Sequence, residues 1–253
     1  MGRRRIILLV VAFYCMTMLR AQEYTMMSGL MNIPTAEVAQ SGTVRIGGAW
    51  LNRDMLPDQF NYKGEKYNTV NYGVGIAAFD WLEMSYSQTV LKRIHDYYGE
   101  GKDFFSQDRH VNVKLRPLKE GRWWPAIAIG MDDVNLPNKI GKRDEKNLWN
   151  NYFQNIYGVM SKHFVFKYGG ELSVHVGYRY FTNDPNKDCS GVLGGIAYRP
   201  NFCRDLRVMA EWDGQNVNAG VDWLVWKRLY LQAGLTNGTR PFGVISYHYV
   251  ISF

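Results

Sequence analysis

Phe242-Gly-Val-Ile-Ser-Tyr-His-Tyr-Val-Ile-Ser-Phe253 closes the chain with an apolar residue at every second position from Ile245 to Phe253. A period of two is the pattern of a strand with one face against an apolar phase. Ser246, His248 and Ser252 take the other face, so both faces are specified. From Thr43 onward the sequence repeats this pattern, and twelve alternating segments can be read between turn-rich connections.

The first segment (about Thr43–Asn52) sets Val44, Ile46 and Trp50 on one face. The second (about Tyr67–Phe79) sets Val70, Tyr72, Val74, Ile76 and Ala78 against Thr69, Asn71, Gly73, Gly75 and Ala77. The third (about Leu82–Leu91) opposes Leu82, Met84, Tyr86 and Val90 to Glu83, Ser85, Ser87 and Thr89. The same alternation recurs around Val111–Arg116, Ala126–Met131, Leu172–Tyr180, Leu206–Asp213, Asn218–Val225 and Leu229–Leu235. Two segments are weakly patterned: one near Phe153–Met160, where Phe153, Tyr157 and Val159 are read as the apolar face, and the Gly-rich Gly191–Arg199. Without these two the count would be ten.

Most segments run about 9 to 12 residues, the length a tilted strand needs to cross a bilayer, where soluble strands average about 5 to 6. Charges recur on the non-apolar face: Arg45, Glu83, Lys114, Arg116, Arg179, Arg199, Arg207, Glu211, Asp213 and Asp222, with Asn218 among them. A dry sandwich core cannot hold them unpaired. A closed antiparallel transmembrane β-barrel with lipid outside and a polar lumen satisfies both faces. The lumen charges are read as a cross-strand salt-bridge lattice, with a hydrophilic path for an anionic or neutral glycan as the alternative. Small lumen residues (Gly73, Gly75, Ala126, Ala128, Gly177, Gly220) could admit a sugar strand or a plug.

Connection lengths agree with this fold. Residues 53–66, 92–107 and 133–150 are long and polar. Phe79–Trp81, Pro117–Arg122, Pro200–Asp205 and Trp226–Arg228 are short, although His163–Gly170 is longer. Long outer loops with short periplasmic turns are the barrel asymmetry, and twelve strands return Phe253 to the periplasmic side. Trp81, Trp123, Trp124, Trp223 and Trp226 gather near predicted periplasmic strand ends, as an aromatic girdle does. Loop aromatics Tyr97, Tyr98, Phe104, Phe105 and Trp149 are better placed to stack on sugars.

Arg3, Arg4 and Arg5 precede an apolar run from Ile6 to Leu19, which predicts a secretory signal (residues 1–21) cleaved after Ala21. Losing Arg3, Arg4, Arg5 and Arg20 with it lowers the formal charge from +7 to +3, too mild and scattered to imply nucleic acid. Aromatic residues at 15% and 25 Gly, with no long apolar run beyond the signal, suit an exported barrel. Residues 22–42 form a short N-terminal segment before the barrel (residues 43–253). Pro34 removes a ladder donor there, so the segment is expected at the lumen mouth or the periplasmic rim. Cys189 and Cys203 lie at opposite ends of the eighth segment, about 30 Å apart, beyond the roughly 7 Å a disulfide spans.

Catalysis needs a nucleophile and a base within hydrogen-bond reach. Ser173 and His175 share a face but are spaced about 7 Å along the strand. His110 and His248 read as lumen residues. There is no G-x-S-x-G, H-E-x-x-H or metal-spaced Cys/His cluster, so neither an enzyme nor a cofactor or metal is expected.

Gly29-Leu-Met-Asn-Ile-Pro-Thr-Ala36 and Ser41-Gly-Thr-Val-Arg-Ile-Gly47 resemble the opening of YjbH-like outer-membrane proteins. Gly194-Gly-Ile-Ala-Tyr-Arg-Pro200, Ala210-Glu-Trp-Asp-Gly214 and Asn218-Ala-Gly220 carry the resemblance further. It implies a compact, single-barrel relative of a family associated with exopolysaccharide and capsule biosynthesis. The function implied is non-enzymatic assistance of polysaccharide export or surface assembly. The partners would be the outer-membrane lipid bilayer, exopolysaccharide or other capsule-export proteins, and, during biogenesis, the barrel-assembly machinery. An aromatic last residue such as Phe253 resembles the signal that this machinery reads. A general small porin or structural barrel is the alternative, and a lipid-modifying enzyme of the outer membrane a lesser one.

Overall fold

The computed structural model describes residues 24–56, 61–95, 102–134, 153–182 and 189–251. The expected signal segment, Tyr97, Tyr98, Trp149 and Phe253 lie outside the described residues.

The chain folds as β1 (Thr43–Leu51), a small hairpin of β2 (Asn61–Tyr62) and β3 (Glu65–Lys66), then β4 (Thr69–Phe79), β5 (Leu82–His95), β6 (Lys102–Leu118) and β7 (Ala126–Asp132). It continues through β8 (Asn155–Phe166), β9 (Gly170–Phe181), β10 (Gly191–Arg199), β11 (Leu206–Trp212), β12 (Val217–Val225), β13 (Leu229–Thr236) and β14 (Arg240–Val250). All but β2 and β3 form one closed antiparallel barrel of twelve strands. The opening sequence motif closes it: β14 pairs with β1, Tyr249 opposite Val44 and Tyr247 opposite Ile46. Closure leaves no unpaired strand edge.

Alternation places Ile46, Val74, Ile76, Val176, Ile196, Val208, Ile245 and Tyr249 outward and exposed. Short connections gather at one end, called here the turn end: 80–81, 119–125, 167–169, 200–205 and 226–228. The opposite, loop end carries the strand ends Leu51, Asp132, Asn155, Phe181 and Gly191. Trp123 and Trp226 stand largely exposed at the turn end, where Phe79 and Trp81 stack at 5.3 Å.

Three local expectations change. Residues 92–107 are mostly strand, because β5 and β6 pair as far as His95 opposite Lys102 and project as a long hairpin. His163–Gly170 is shorter than it reads, since β8 continues to Phe166. In β8 the apolar pair Tyr157 and Val159 faces inward, with Ile156 and Met160 outward. The inward pair belongs to an apolar patch with Ala126, Ala128 and Ala36 of the N-terminal segment, so these residues have an apolar partner inside the barrel. Cys189 and Cys203 carry no disulfide.

Candidate functional site: a plugged lumen and the recess above it

Residues 24–39 are buried along their whole length. The segment does not stop at the mouth or the rim; it fills the lumen. From the turn end it runs inward from Ala39, reverses at Met31–Asn32 near the loop end, and passes back through the barrel. Leu30 N–H donates to the Ile33 carbonyl at 2.9 Å and Gly29 bridges Pro34 across this reversal.

An irregular backbone inside a protein must find partners for its N–H and C=O groups, and the lumen charges supply them. Glu83 accepts from Ser28 N (2.9 Å), Ser28 Oγ (2.6 Å) and Ala39 N (2.8 Å). Glu211 caps the reversal, accepting from Met31 N at 2.9 Å and Asn32 N at 2.7 Å. Asn32 Nδ2 donates to Asp213 at 2.8 Å, and Ala36 N to Ser161 Oγ at 2.8 Å. On the carbonyl side, Arg45 donates to Met26, Lys114 to Ser28 (2.6 Å), Arg207 to Gly29, Gln232 to Leu30 and Arg179 to Asn32 (2.8 Å). Five N–H groups and five carbonyls of the plug are thus held by side chains from seven strands. Eight of these ten involve a charged side chain, and charge-assisted bonds are about twice as strong as neutral ones.

Arg45, Glu83, Lys114, Arg116, Arg179, Arg207, Glu211, Asp213, Asn218 and Asp222 are all buried. Arg199 differs: it is only half-buried near the turn end and pairs with Glu171 at 2.8 Å. The expected cross-strand lattice is present in part, as Glu83–Lys114 at 2.8 Å and Arg207–Asp222 at 2.7 Å, both register partners. Much of its other bonding capacity goes to the plug, while Arg116 donates to the Asp80 carbonyl and Asn218 to Glu211 and Asp213.

Other plug contacts are apolar and small. Leu30, Met31 and Ile33 are fully buried against Leu193, Ala197, Met209, Leu224, Phe242 and Val244, so one side of the lumen is apolar. A Cβ at Gly75 would lie 2.2 Å from the Met26 carbonyl oxygen, at Gly195 2.4 Å from Leu30 Cδ1, and at Gly220 2.8 Å from Met31 Sδ. These glycines are the clearance the plug occupies.

At the turn end, Glu37 of the plug meets His163 Nε2 at 2.7 Å, and Glu120 meets Nδ1 at 2.6 Å. Burial opposes ionisation of Glu120, but bonds from the His163 backbone and ring and from Lys162 outweigh it and hold the carboxyl below its ordinary range. At the loop end a small recess, open to solvent on one side, lies over the plug. Tyr24, Phe153 and Phe181 supply its aromatic wall, and Asn32, Arg179 and Asp213 its polar one.

Two groupings were missed by strand spacing. Ser173 and His175 do reach each other, at 3.1 Å from Oγ to Nε2, because side chains on one face lean together over the distance their Cα atoms keep. His175 Nδ1 is bonded to Ser161 Oγ at 2.8 Å beneath Ala36, and the pair is buried. Asp108, His110 and Asp133 also converge, all buried. Only the D-x-H spacing of the first two, which puts them on one strand face, could have suggested it.

The family described as "Exopolysaccharide biosynthesis protein YbjH" (YjbH) matches residues 21–240. The chain is 27% identical over 108 residues to the "Uncharacterized lipoprotein YjbH" of Escherichia coli (strain K12), a stretch that covers 42% of this chain and 13% of that protein. Among solved structures it is similar to outer membrane phospholipase A from Escherichia coli, with a TM-score of 0.32, 12% identity, and 85% of this chain and 98% of that one covered. The corresponding phospholipase of Salmonella typhi gives a TM-score of 0.31 at 11% identity, covering 85% and 92%.

Proposed function

We propose, since this chain belongs to the YjbH family of exopolysaccharide biosynthesis proteins, that it is a plugged outer-membrane barrel assisting export or surface assembly of the polysaccharide without catalysing a reaction itself. The outward apolar band with tryptophans at its edges suits a lipid bilayer, and such a barrel would be inserted by the barrel-assembly machinery. The observation that carries the reading is the lumen filled by residues 24–39. A barrel packed in this way is unsuited to free diffusion of small solutes and suited to a gated or docking part in an export assembly. The Ser173–His175 pair lies under the plug with no open face toward a substrate, which supports a non-catalytic role.

The test is a gene deletion scored for surface polysaccharide and for small-solute uptake. Loss of the polysaccharide with unchanged uptake, restored by the intact chain, is the expected result. An unchanged polysaccharide layer together with slowed solute uptake would point to a general porin instead.

A further inference from the structure

We propose that Asp108, His110 and Asp133 form a binding site for a divalent transition cation of the zinc or manganese class, inside the loop end of the barrel. All three are buried, at 0%, 3% and 2% exposure, and each offers a ligand atom within 4.8 Å of the other two. The strands fix this arrangement. Asp108 and His110 are two apart on β6 and share its inward face, while Asp133 follows β7 immediately and is pinned by its N–H to Asn112 Oδ1 at 2.9 Å.

A pair of acids beside a histidine would be an ordinary ion-pair cluster if its atoms were satisfied. They are not. His110 Nδ1 and Asp133 Oδ2 point at one another across 3.8 Å, too far for a hydrogen bond, and neither atom has a hydrogen-bond partner among the described residues. Leaving two such atoms buried without partners is costly, and a cation between them removes that cost. A tetrahedral cation with bonds of about 2.0–2.1 Å sets its ligands roughly 3.4 Å apart, so the His110–Asp133 pair needs to close only slightly.

The other ring nitrogen, which lies 3.8 Å from Asp108 Oδ2, is already placed. His110 Nε2 lies 3.0 Å from Thr89 Oγ1, which itself accepts from Asn71 Nδ2 at 2.9 Å. With the Nε2 proton given to Thr89, Nδ1 presents its lone pair toward Asp133, which is how metal-bound histidines are oriented by their outer partners. Phe153, which also lines the recess, packs edge-on to the imidazole at 4.6 Å. One nitrogen with two carboxylates favours zinc or manganese over calcium and magnesium, which prefer oxygen alone. This site stands independently of the polysaccharide role.

The test uses the untagged full chain, stripped with chelator in detergent, and dialysed against Zn²⁺. One tightly bound equivalent is expected, not displaced by excess Ca²⁺ or Mg²⁺. His110→Ala and Asp133→Asn should each lose it, and Thr89→Val should weaken it about 10- to 100-fold with all three ligands intact. Variants are compared only where the heat-sensitive gel mobility of a folded barrel is kept. The unaltered protein loaded with Mn²⁺ adds a reading that needs no variant: electron spin echo modulation from a coordinated imidazole nitrogen. No bound equivalent in the unaltered chain, retention of Zn²⁺ in both ligand variants, or absence of the nitrogen modulation would each overturn the assignment.

Discussion

Glu83→Ala is expected to free the plug and to cost about 3–5 kcal/mol of stability, the range for breaking a buried ion pair by removing one partner. Glu83 stands at the centre of the largest cluster of plug bonds. It pairs with Lys114 at 2.8 Å and Arg45 at 3.4 Å, and it accepts from Ser28 and from the Ala39 backbone. Its loss strands two cations in the lumen and orphans two plug N–H groups at once. Lys114 still has the Ser28 carbonyl, and Arg45 the Met26 carbonyl and Ser28 Oγ, but neither keeps an opposite charge from Glu83. Glu83→Gln keeps an acceptor for Ser28 and should fall between the two. Glu83→Ala combined with Lys114→Met should recover part of the loss, because it removes one of the two stranded cations and leaves only Arg45. The midpoint of denaturant-induced loss of the folded gel band measures each step. Equal midpoints for Glu83→Ala and the unaltered chain would contradict this role.

Gly75→Val should displace the plug by sterics alone. Its Cβ would fall 2.2 Å from the Met26 carbonyl oxygen and 3.1 Å from the carbonyl carbon. That backbone has little freedom to retreat: Met26 already holds a left-handed φ of 68°, rare for such a side chain, and its carbonyl accepts from Arg45 at 3.3 Å. Overpacking costs about 1–3 kcal/mol where neighbours can shift, and more is expected against backbone. Gly195→Val is the matched control. Its Cβ meets Leu30 Cδ1 at 2.4 Å and Ile33 Cδ1 at 3.1 Å, the ends of side chains that can rotate, and backbone only at 3.2 Å, the Ala210 carbonyl oxygen, so it should destabilise less. A lower thermal midpoint and greater sensitivity of cells to large antibiotics are expected for Gly75→Val, well beyond Gly195→Val. The reverse order would mean that Gly75 does not define the plug's clearance.

The barrel was legible because a strand writes both of its faces into the sequence. Arg45, Glu83, Lys114, Arg207 and Glu211 occupy the inward positions that alternation assigns them, and the weakly patterned β8 and β10 complete the twelve. The depth of the plug was not legible, since Tyr24–Ala39 has no periodicity and its partners are up to 202 residues away, as in the Gln232–Leu30 bond. Small lumen residues allowed a plug or a sugar strand equally, and only the contacts of Gly75 and Gly220 with Met26 and Met31 decide for the plug. The inward face of Tyr157 and Val159 misleads for the same reason: an apolar face reads as lipid-facing until Ala36 is seen against it. The Ser173–His175 contact escaped because Cα spacing along a strand overstates the distance between side-chain tips.

Conductance across a planar lipid bilayer tests the filled lumen most directly, comparing the unaltered protein with one lacking residues 24–39. The plugged arrangement predicts that the unaltered barrel stays closed at low voltage while the deletion variant opens in discrete steps. Steady conductance of the unaltered protein equal to that of the deletion variant would contradict it.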